Sequence, residues 1–126
     1  QNRRYWGNGV LNQIAQQATV NGRMFAAEVW HEQFKRMFIG VIELPNGDVL
    51  QIRIYGNGGH VDYSYQLLRA GEPLMRWDNK EHFPEIASYP HHFHSPSGEV
   101  RTSPLTGDVT TDLPVVLAIL DPSSQA

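Results

Sequence analysis

The chain has 126 residues, enough for one domain, and its 40% hydrophobic and 18% charged residues are typical of a globular protein. The net charge of −3 lacks the basic excess of most nucleic-acid-binding domains, so any RNA or DNA contact has to come from a local patch. The absence of cysteine excludes disulfides, iron–sulfur clusters, cysteine-based zinc sites and a thiol nucleophile from this chain. No stretch of about 20 apolar residues occurs and no apolar run follows Arg3 and Arg4, so we expect a cytoplasmic protein without membrane span or signal peptide.

The first third of the chain is predicted to form a helix and then strands. Asn8 to Asn21 has apolar residues at helical spacing, with Asn8 as the cap and Asn21-Gly22 as the stop. Met24–Trp30 fits a strand better than further helix. Phe34–Leu44 is apolar and β-branched and ends in Pro45-Asn46-Gly47, which predicts a strand followed by a tight turn.

Three more strands follow at short intervals. Val49–Tyr55 and His60–Arg69 both alternate between two faces, and the glycine-rich turn Gly56–Gly59 separates them. After a turn at Ala70–Pro73, Leu74–Trp77 is predicted to be the last, short strand. Consecutive strands joined by tight turns predict an antiparallel meander of four or five strands, with one face on a core and one in water.

The remainder of the chain is predicted to be irregular until a final helix. Lys80 to Pro104 holds four of the eight prolines, which favours a path tied down by side chains. Asp112 is expected to cap a short helix that runs through Leu120, with Pro114 in its first turn. We therefore expect one α+β domain over residues 1–126, with disordered ends at 1–7 and 121–126.

Histidine is concentrated in the Pro-rich segment, where four of the six imidazoles fall between positions 82 and 94. Imidazole titrates near neutrality, so such clusters are typical of proton transfer or metal binding. Cleavage of RNA by its own 2′-hydroxyl needs a base, an acid and a cation for the phosphate, and the histidines with Arg76 or Arg101 offer these groups. The aromatic side chains of Trp77, Tyr89 and Phe93 are candidates for stacking on an unpaired base.

Two other interpretations of the cluster stay open. His92 and His94 point to the same side of an extended segment and, with His82, Asp78 or Glu85 as a further ligand, could hold a divalent metal such as zinc. Alternatively the segment is a non-catalytic interaction surface or simply architectural, because histidines in a Pro-rich loop can satisfy backbone groups that no strand reaches. The sequence contains no G-x-S-x-G, phosphate-binding loop or dinucleotide fingerprint, so these enzyme classes are not supported.

The runs Arg76-Trp77-Asp78-Asn79-Lys80-Glu81-His82 and Pro90-His91-His92-Phe93-His94 resemble the R-[WY]-D-N-x-x-H…P-H-H-x-H pattern of the TumE family. These proteins are the toxins of prokaryotic toxin–antitoxin pairs. The family also has a histidine after Tyr-x-Tyr, where this chain has Gln66, and a second histidine after the one at position 82, where this chain has Phe83. The resemblance implies growth inhibition by RNA cleavage, with free RNA or the ribosome as the target, and neutralisation by a cognate helix-turn-helix antitoxin.

The leading hypothesis is a toxin that acts as a metal-independent endoribonuclease without a cofactor, with a homodimer as a further expectation because sheet edges invite pairing. Its expected catalytic residues are His91, His92, His94, His82, Arg76 and Asp78. Its expected substrate-binding residues are Trp77, Asn79, Tyr89 and Arg101.

Overall fold

The computed structural model describes residues 23–29 and 36–120, with side chains from position 37 onward. The predicted helix Asn8 to Asn21 and the predicted disordered ends lie outside these residues. The described part contains seven strands and one helix, and no helix in it has the length and apolarity that crossing a membrane requires. The elements are β1 (Arg23–Val29), β2 (Arg36–Glu43), β3 (Val49–Asn57), β4 (His60–Arg69), β5 (Glu72–Asp78), β6 (His92–His94), β7 (Val100–Thr102) and α1 (Val109–Leu120).

All seven strands form one antiparallel meander, in which each strand pairs with the next one along the chain. The turns carry the residues that their backbone requires. Asn46 accepts a hydrogen bond from the amide of Asp48 at 2.9 Å, and Gly47 has a φ of +93° between β2 and β3. Ala70 and Gly71 both have positive φ, 53° and 79°, as a two-residue hairpin turn between β4 and β5 requires.

The predicted meander is confirmed, but the strand count of four or five is wrong, because the described residues form seven. The prediction of a strand over Met24–Trp30 is confirmed by β1. The segment from Lys80 to Pro104 was expected to be irregular, yet it contains β6 and β7. Both are three residues long, too short for a periodic pattern, and β6 forms only because β5 supplies backbone partners from a distant part of the chain.

The core lies on one face of the sheet, where alternate residues of β3 and β4 are buried as predicted. On that face Leu50, Ile52 and Ile54 belong to the same hydrophobic cluster as Leu113 and other residues of α1. The opposite face carries Gln51 and other polar residues, and it remains partly open to solvent. A sheet with one buried face leaves the other available for chemistry.

The C-terminal helix begins one turn earlier than predicted. Asp108, not Asp112, caps it, because the Asp108 carboxylate accepts the amide of Thr110 at 3.1 Å. Asp112 lies inside the first turn, is 1% exposed, and accepts the amides of Thr106 and Gly107. Its carboxylate therefore fastens the preceding loop to the helix.

Candidate functional site

Strand alternation and register build a polar cluster on the face opposite the core. In β5, Trp77 points into the core, so Arg76 and Asp78 on either side of it point to the other face. The antiparallel register sets Arg76 opposite His94 and Asp78 opposite His92. Two short sequences, Arg-x-Asp and His-x-His, thus become one group of four side chains, which we call the Asp78 cluster.

The Asp78 carboxylate is the centre of this cluster. One oxygen, Oδ2, accepts a hydrogen bond from Arg76 Nε at 2.8 Å, and Oδ1 accepts the backbone amide of Lys80 at 2.9 Å. His92 Nε2 lies 3.0 Å from Oδ1, and His94 Nε2 lies 3.4 Å from Oδ2. The two imidazole Nε2 atoms are 3.1 Å apart. Three donor atoms, from Asp78, His92 and His94, therefore converge on one point.

The four side chains differ in their access to solvent. Asp78 and His92 are each 1% exposed, whereas the side chains of Arg76 and His94 are 39% and 37% exposed. His92 Nδ1 lies 3.0 Å from the carbonyl oxygen of Pro90, which can only accept, so Nδ1 carries a proton and Nε2 faces the cluster. Only Arg76 and His94 can reach a molecule that approaches from solvent.

Burial lowers the pKa of His94 below its ordinary value, and the charges of His92 and Arg76 act in the same direction. The carboxylate of Asp78 opposes this shift but does not cancel it. His94 therefore presents a neutral imidazole at pH 7, which is able to accept a proton.

A cavity of about 380 Å³ opens over the cluster. The ring of Phe83 lies edge-on to His92 and His94, with centroids 4.8 and 5.8 Å away, and forms one apolar wall. The exposed side chains of His82 and Lys80 line the cavity as well. Three of the predicted histidines, with Arg76 and Asp78, thus share one space.

His91 does not join the other histidines. Adjacent residues of an extended chain point to opposite faces, so His91 points to the core side while His92 points to the polar face. There Nδ1 of His91 lies 2.7 Å from the hydroxyl oxygen of Tyr63. The two rings stack at a centroid distance of 5.8 Å. Burial raises the pKa of Tyr63 well above its usual range, so the phenol stays protonated and donates a hydrogen bond to His91.

The predicted substrate-binding residues also lie apart from the cavity. Trp77 is 2% exposed and packs on Phe93 at 4.8 Å, so its indole offers no face to a base. The Asn79 side chain accepts the amide of Tyr63 and donates to the carbonyl of Val61, which holds β5 to β4. Tyr89, 42% exposed, is not among the residues that line the cavity.

Arg101 stands opposite Phe93 in the sheet register, on the core side of β7. It forms an exposed ion pair with Glu99 and does not line the cavity. Lys80 and Phe83 do line it, although their residue types gave no functional signal in the sequence. Lys80 lies within the run from Arg76 to His82 that carries the family resemblance, and this position is the signal in the sequence that could have indicated it.

Comparison with known proteins gives one match. Residues 22–123 match the family model described as Toxin TumE, which covers most of the chain and the whole of the Asp78 cluster. No curated protein and no solved structure gives a significant match.

Proposed function

Since the chain belongs to the TumE toxin family, we propose that it inhibits growth by cleaving RNA in the cavity over the Asp78 cluster. The observation that carries the proposal is the pairing of a buried Asp78–His92 unit with two half-exposed side chains, Arg76 and His94, in one cavity. Such a mixture of buried and reachable titratable groups is typical of acid–base sites.

The reaction would be an internal transesterification. The 2′-hydroxyl loses its proton to a base, and its oxygen forms a bond to the adjacent phosphorus. The bond from phosphorus to the 5′-oxygen breaks, and an acid protonates that leaving oxygen. The products are a 2′,3′-cyclic phosphate and a free 5′-hydroxyl, so no water and no cofactor enter this step.

The geometry favours His94 and His82 as the two proton-transfer groups. In such a displacement the attacking and leaving oxygens lie roughly in line on opposite sides of phosphorus. His92 and His94 cannot serve both oxygens, because their Nε2 atoms are 3.1 Å apart and His92 is 1% exposed. His94, with its lowered pKa, is the base, and the exposed His82 on the same cavity is the acid.

The other groups would position and stabilise. His92 and Asp78 hold the ring of His94 and the guanidinium of Arg76 in fixed orientations. Arg76 uses Nε for Asp78, which leaves its terminal amino groups for a phosphate oxygen. Lys80 adds a second positive charge on the cavity wall, where the negative charge of the pentavalent phosphorus develops.

Four variants test this assignment: His94→Gln, His82→Gln and Arg76→Gln, with His91→Gln as the matched control. We expect the first three to abolish both growth arrest on induction and cleavage of purified RNA. The control should arrest growth as wild type does, because His91 contacts Tyr63 on the other face. The isolated product should end in a 2′,3′-cyclic phosphate.

Circular dichroism and thermal unfolding first establish that all four variants fold. A wild type that cleaves no RNA with or without ribosomes refutes the proposal. So does a His91→Gln variant that loses activity while His94→Gln retains it.

Metal binding is a second candidate function of the same residues. His92 Nε2 and His94 Nε2 are 3.1 Å apart and lie 3.0 and 3.4 Å from different oxygens of Asp78. One donor atom from each of the three residues lies within 4.8 Å of the others, a spacing that suits ligands about 2 Å from one ion. The bond from His92 to the Pro90 carbonyl fixes the ring as outer-shell partners of metal ligands do. Of the third donors predicted from sequence, which are His82, Asp78 and Glu85, Asp78 is the one that lies with His92 and His94.

Chelation separates the two candidates. Protein dialysed against EDTA should keep its full cleavage rate if His94 is a base. If cleavage is lost with EDTA and returns with Zn²⁺ or Mn²⁺, and calorimetry shows that one equivalent of the metal binds, the site is a metal site and the acid–base assignment is wrong.

The family implies an antitoxin as partner. That this antitoxin is a helix-turn-helix protein, that the toxin acts at the ribosome in the cytoplasm, and that it forms a homodimer remain predictions. Co-expression with the neighbouring reading frame, followed by copurification and light scattering, tests the partner and the oligomeric state together.

A further inference from the structure

A second cavity, of about 190 Å³, lies on the polar face of the sheet next to the one over the Asp78 cluster. Arg76 and Lys80 line both cavities, so the two are neighbours, and we call them together the sheet groove. The groove crosses from β5 over β4 to β3. These strands are spaced by about 4.8 Å, so β3 lies about 10 Å from β5.

The sheet register arranges the floor of the groove in two rows. One row runs from Arg53 through Ser64 to Asp78 and His92. The parallel row runs from Gln51 through Gln66 to Arg76 and His94. Ser64 is the smallest of these side chains and lies in the middle of its row, so the surface dips between the two ends.

The basic side chains of the described region are concentrated here. Between positions 37 and 120 there are five, and Arg69 and Arg101 are paired with acidic residues elsewhere. The other three, Arg53, Arg76 and Lys80, line the groove, and within that range Arg53 and Lys80 have no acidic side chain as a partner. A chain with a net charge of −3 thus places the positive side chains of Arg53 and Lys80 beside its reactive cluster.

An aromatic side chain completes the groove. Tyr55 follows the buried Ile54 in β3, points to the polar face and lines the groove next to Arg53. Positive charges that follow a backbone, together with an aromatic ring that accepts any base, are the features of single-strand binding sites. Asp62 is the acidic residue in the lining of the second cavity, and its Oδ1 lies 3.0 Å from Nε2 of His60.

From these observations we infer that the sheet groove binds single-stranded RNA beside the cleaved phosphate, with Arg53 on a backbone phosphate and Tyr55 stacked on a base. The length of about 10 Å corresponds to about three stacked nucleotides at 3.4 Å each. This inference rests on the proposed function and names the part of the substrate that lies outside the reacting centre. Gln51 and Gln66 offer amides to base edges along the same path.

The test is direct binding of a fluorescent ten-nucleotide RNA with 2′-O-methyl groups, which has no free 2′-hydroxyl and cannot be cleaved. Anisotropy is measured at several salt concentrations for wild type, Arg53→Gln, Tyr55→Leu and the control Arg101→Gln. Arg53→Gln should weaken binding about tenfold and lower the salt slope by about 0.7, the share of one phosphate on a single strand. Tyr55→Leu should weaken it about tenfold with an unchanged slope. Arg101→Gln, which removes the same charge on the other face, should bind as wild type does.

Equal affinity and slope for Arg53→Gln and wild type overturn the inference, even where wild type cleaves RNA. Loss of binding in Arg53→Gln with no cleavage by wild type leaves the groove assignment standing and refutes only the catalytic proposal. If Arg53→Gln binds RNA normally but no longer copurifies with the antitoxin, the groove is a protein interface and the inference is wrong.

Discussion

Replacing Asp78 by asparagine tests whether the cluster is held together by its carboxylate. The substitution keeps the size of the side chain and removes its charge. Asp78 is 1% exposed, and its two oxygens face Arg76 Nε, the amide of Lys80 and His92 Nε2 at 2.8 to 3.0 Å. Arg76 Nε and the Lys80 amide donate to different oxygens of Asp78, and an asparagine has one acceptor oxygen, so its NH₂ group must turn toward one of these two donors.

The magnitude follows from burial. Removing one partner of a buried ion pair costs about 3 to 5 kcal/mol. The Arg76 side chain is 39% exposed and can turn to water, so we expect a loss at the lower end, about 3 kcal/mol in the free energy of unfolding. That is a large part of the roughly 5 to 15 kcal/mol that stabilises a domain of ordinary size.

Urea unfolding followed by fluorescence measures this loss, with Asp62→Asn as the control. Asp62 also carries one negative charge, but it is 29% exposed and its partner His60 is 62% exposed. Its replacement should cost below about 1 kcal/mol. The midpoint should fall for Asp78→Asn while the m-value stays unchanged. If Asp78→Asn unfolds within about 1 kcal/mol of wild type, or is more stable, the cluster is not held by its charge.

Three further predictions concern other carboxylates and His94. Asp112→Ala removes a buried carboxylate that accepts the amides of Thr106 and Gly107, and it should cost about 2 to 4 kcal/mol in unfolding free energy, against about 1 for the exposed cap Asp108→Ala. Equal losses would contradict the assignment of the two roles. The hydrogen bond from Arg69 lowers the pKa of Asp48, so this pair stabilises the fold above about pH 4 and less as pH falls. Arg69→Gln should lower the urea midpoint at pH 7, and the difference from wild type should vanish in acid. Because burial lowers the pKa of His94, kcat/KM for RNA cleavage should rise with pH along a limb whose midpoint lies below 6.5, and a midpoint above that value would exclude His94 as the base.

The long strands could be predicted because their pattern is local. In β3 the buried residues Leu50, Ile52 and Ile54 alternate with polar ones, so the sequence alone assigns both faces. The turns were equally clear, since glycine stands at most positions with positive φ, although Ala70 adopts it as well. The strands β6 and β7 have no such signal, because three residues hold at most one repeat of the pattern.

The site could be predicted in its residue types but only partly in its members. The rule that set His92 and His94 on one side of an extended segment also sets His91 on the other, as its bond to Tyr63 shows. Arg53 could not have been connected with these histidines from sequence. Its proximity depends on the register of four strands, and register follows from packing against the core and not from the residues of any one strand.

The sheet is covered on both faces at one point only within the described residues, and that point is the cluster. Trp77 and Asp78 are neighbours in β5, point in opposite directions, and are 2% and 1% exposed. The hydrophobic core covers Trp77. Phe83, from the loop that follows β5, covers His92, which pairs with Asp78. Because water is excluded around Asp78, the attraction between its carboxylate and the guanidinium of Arg76 is stronger than it would be on an open sheet. The loop between β5 and β6 is therefore a cover over Asp78 and His92, and its lack of periodicity follows from packing over a sheet rather than within one.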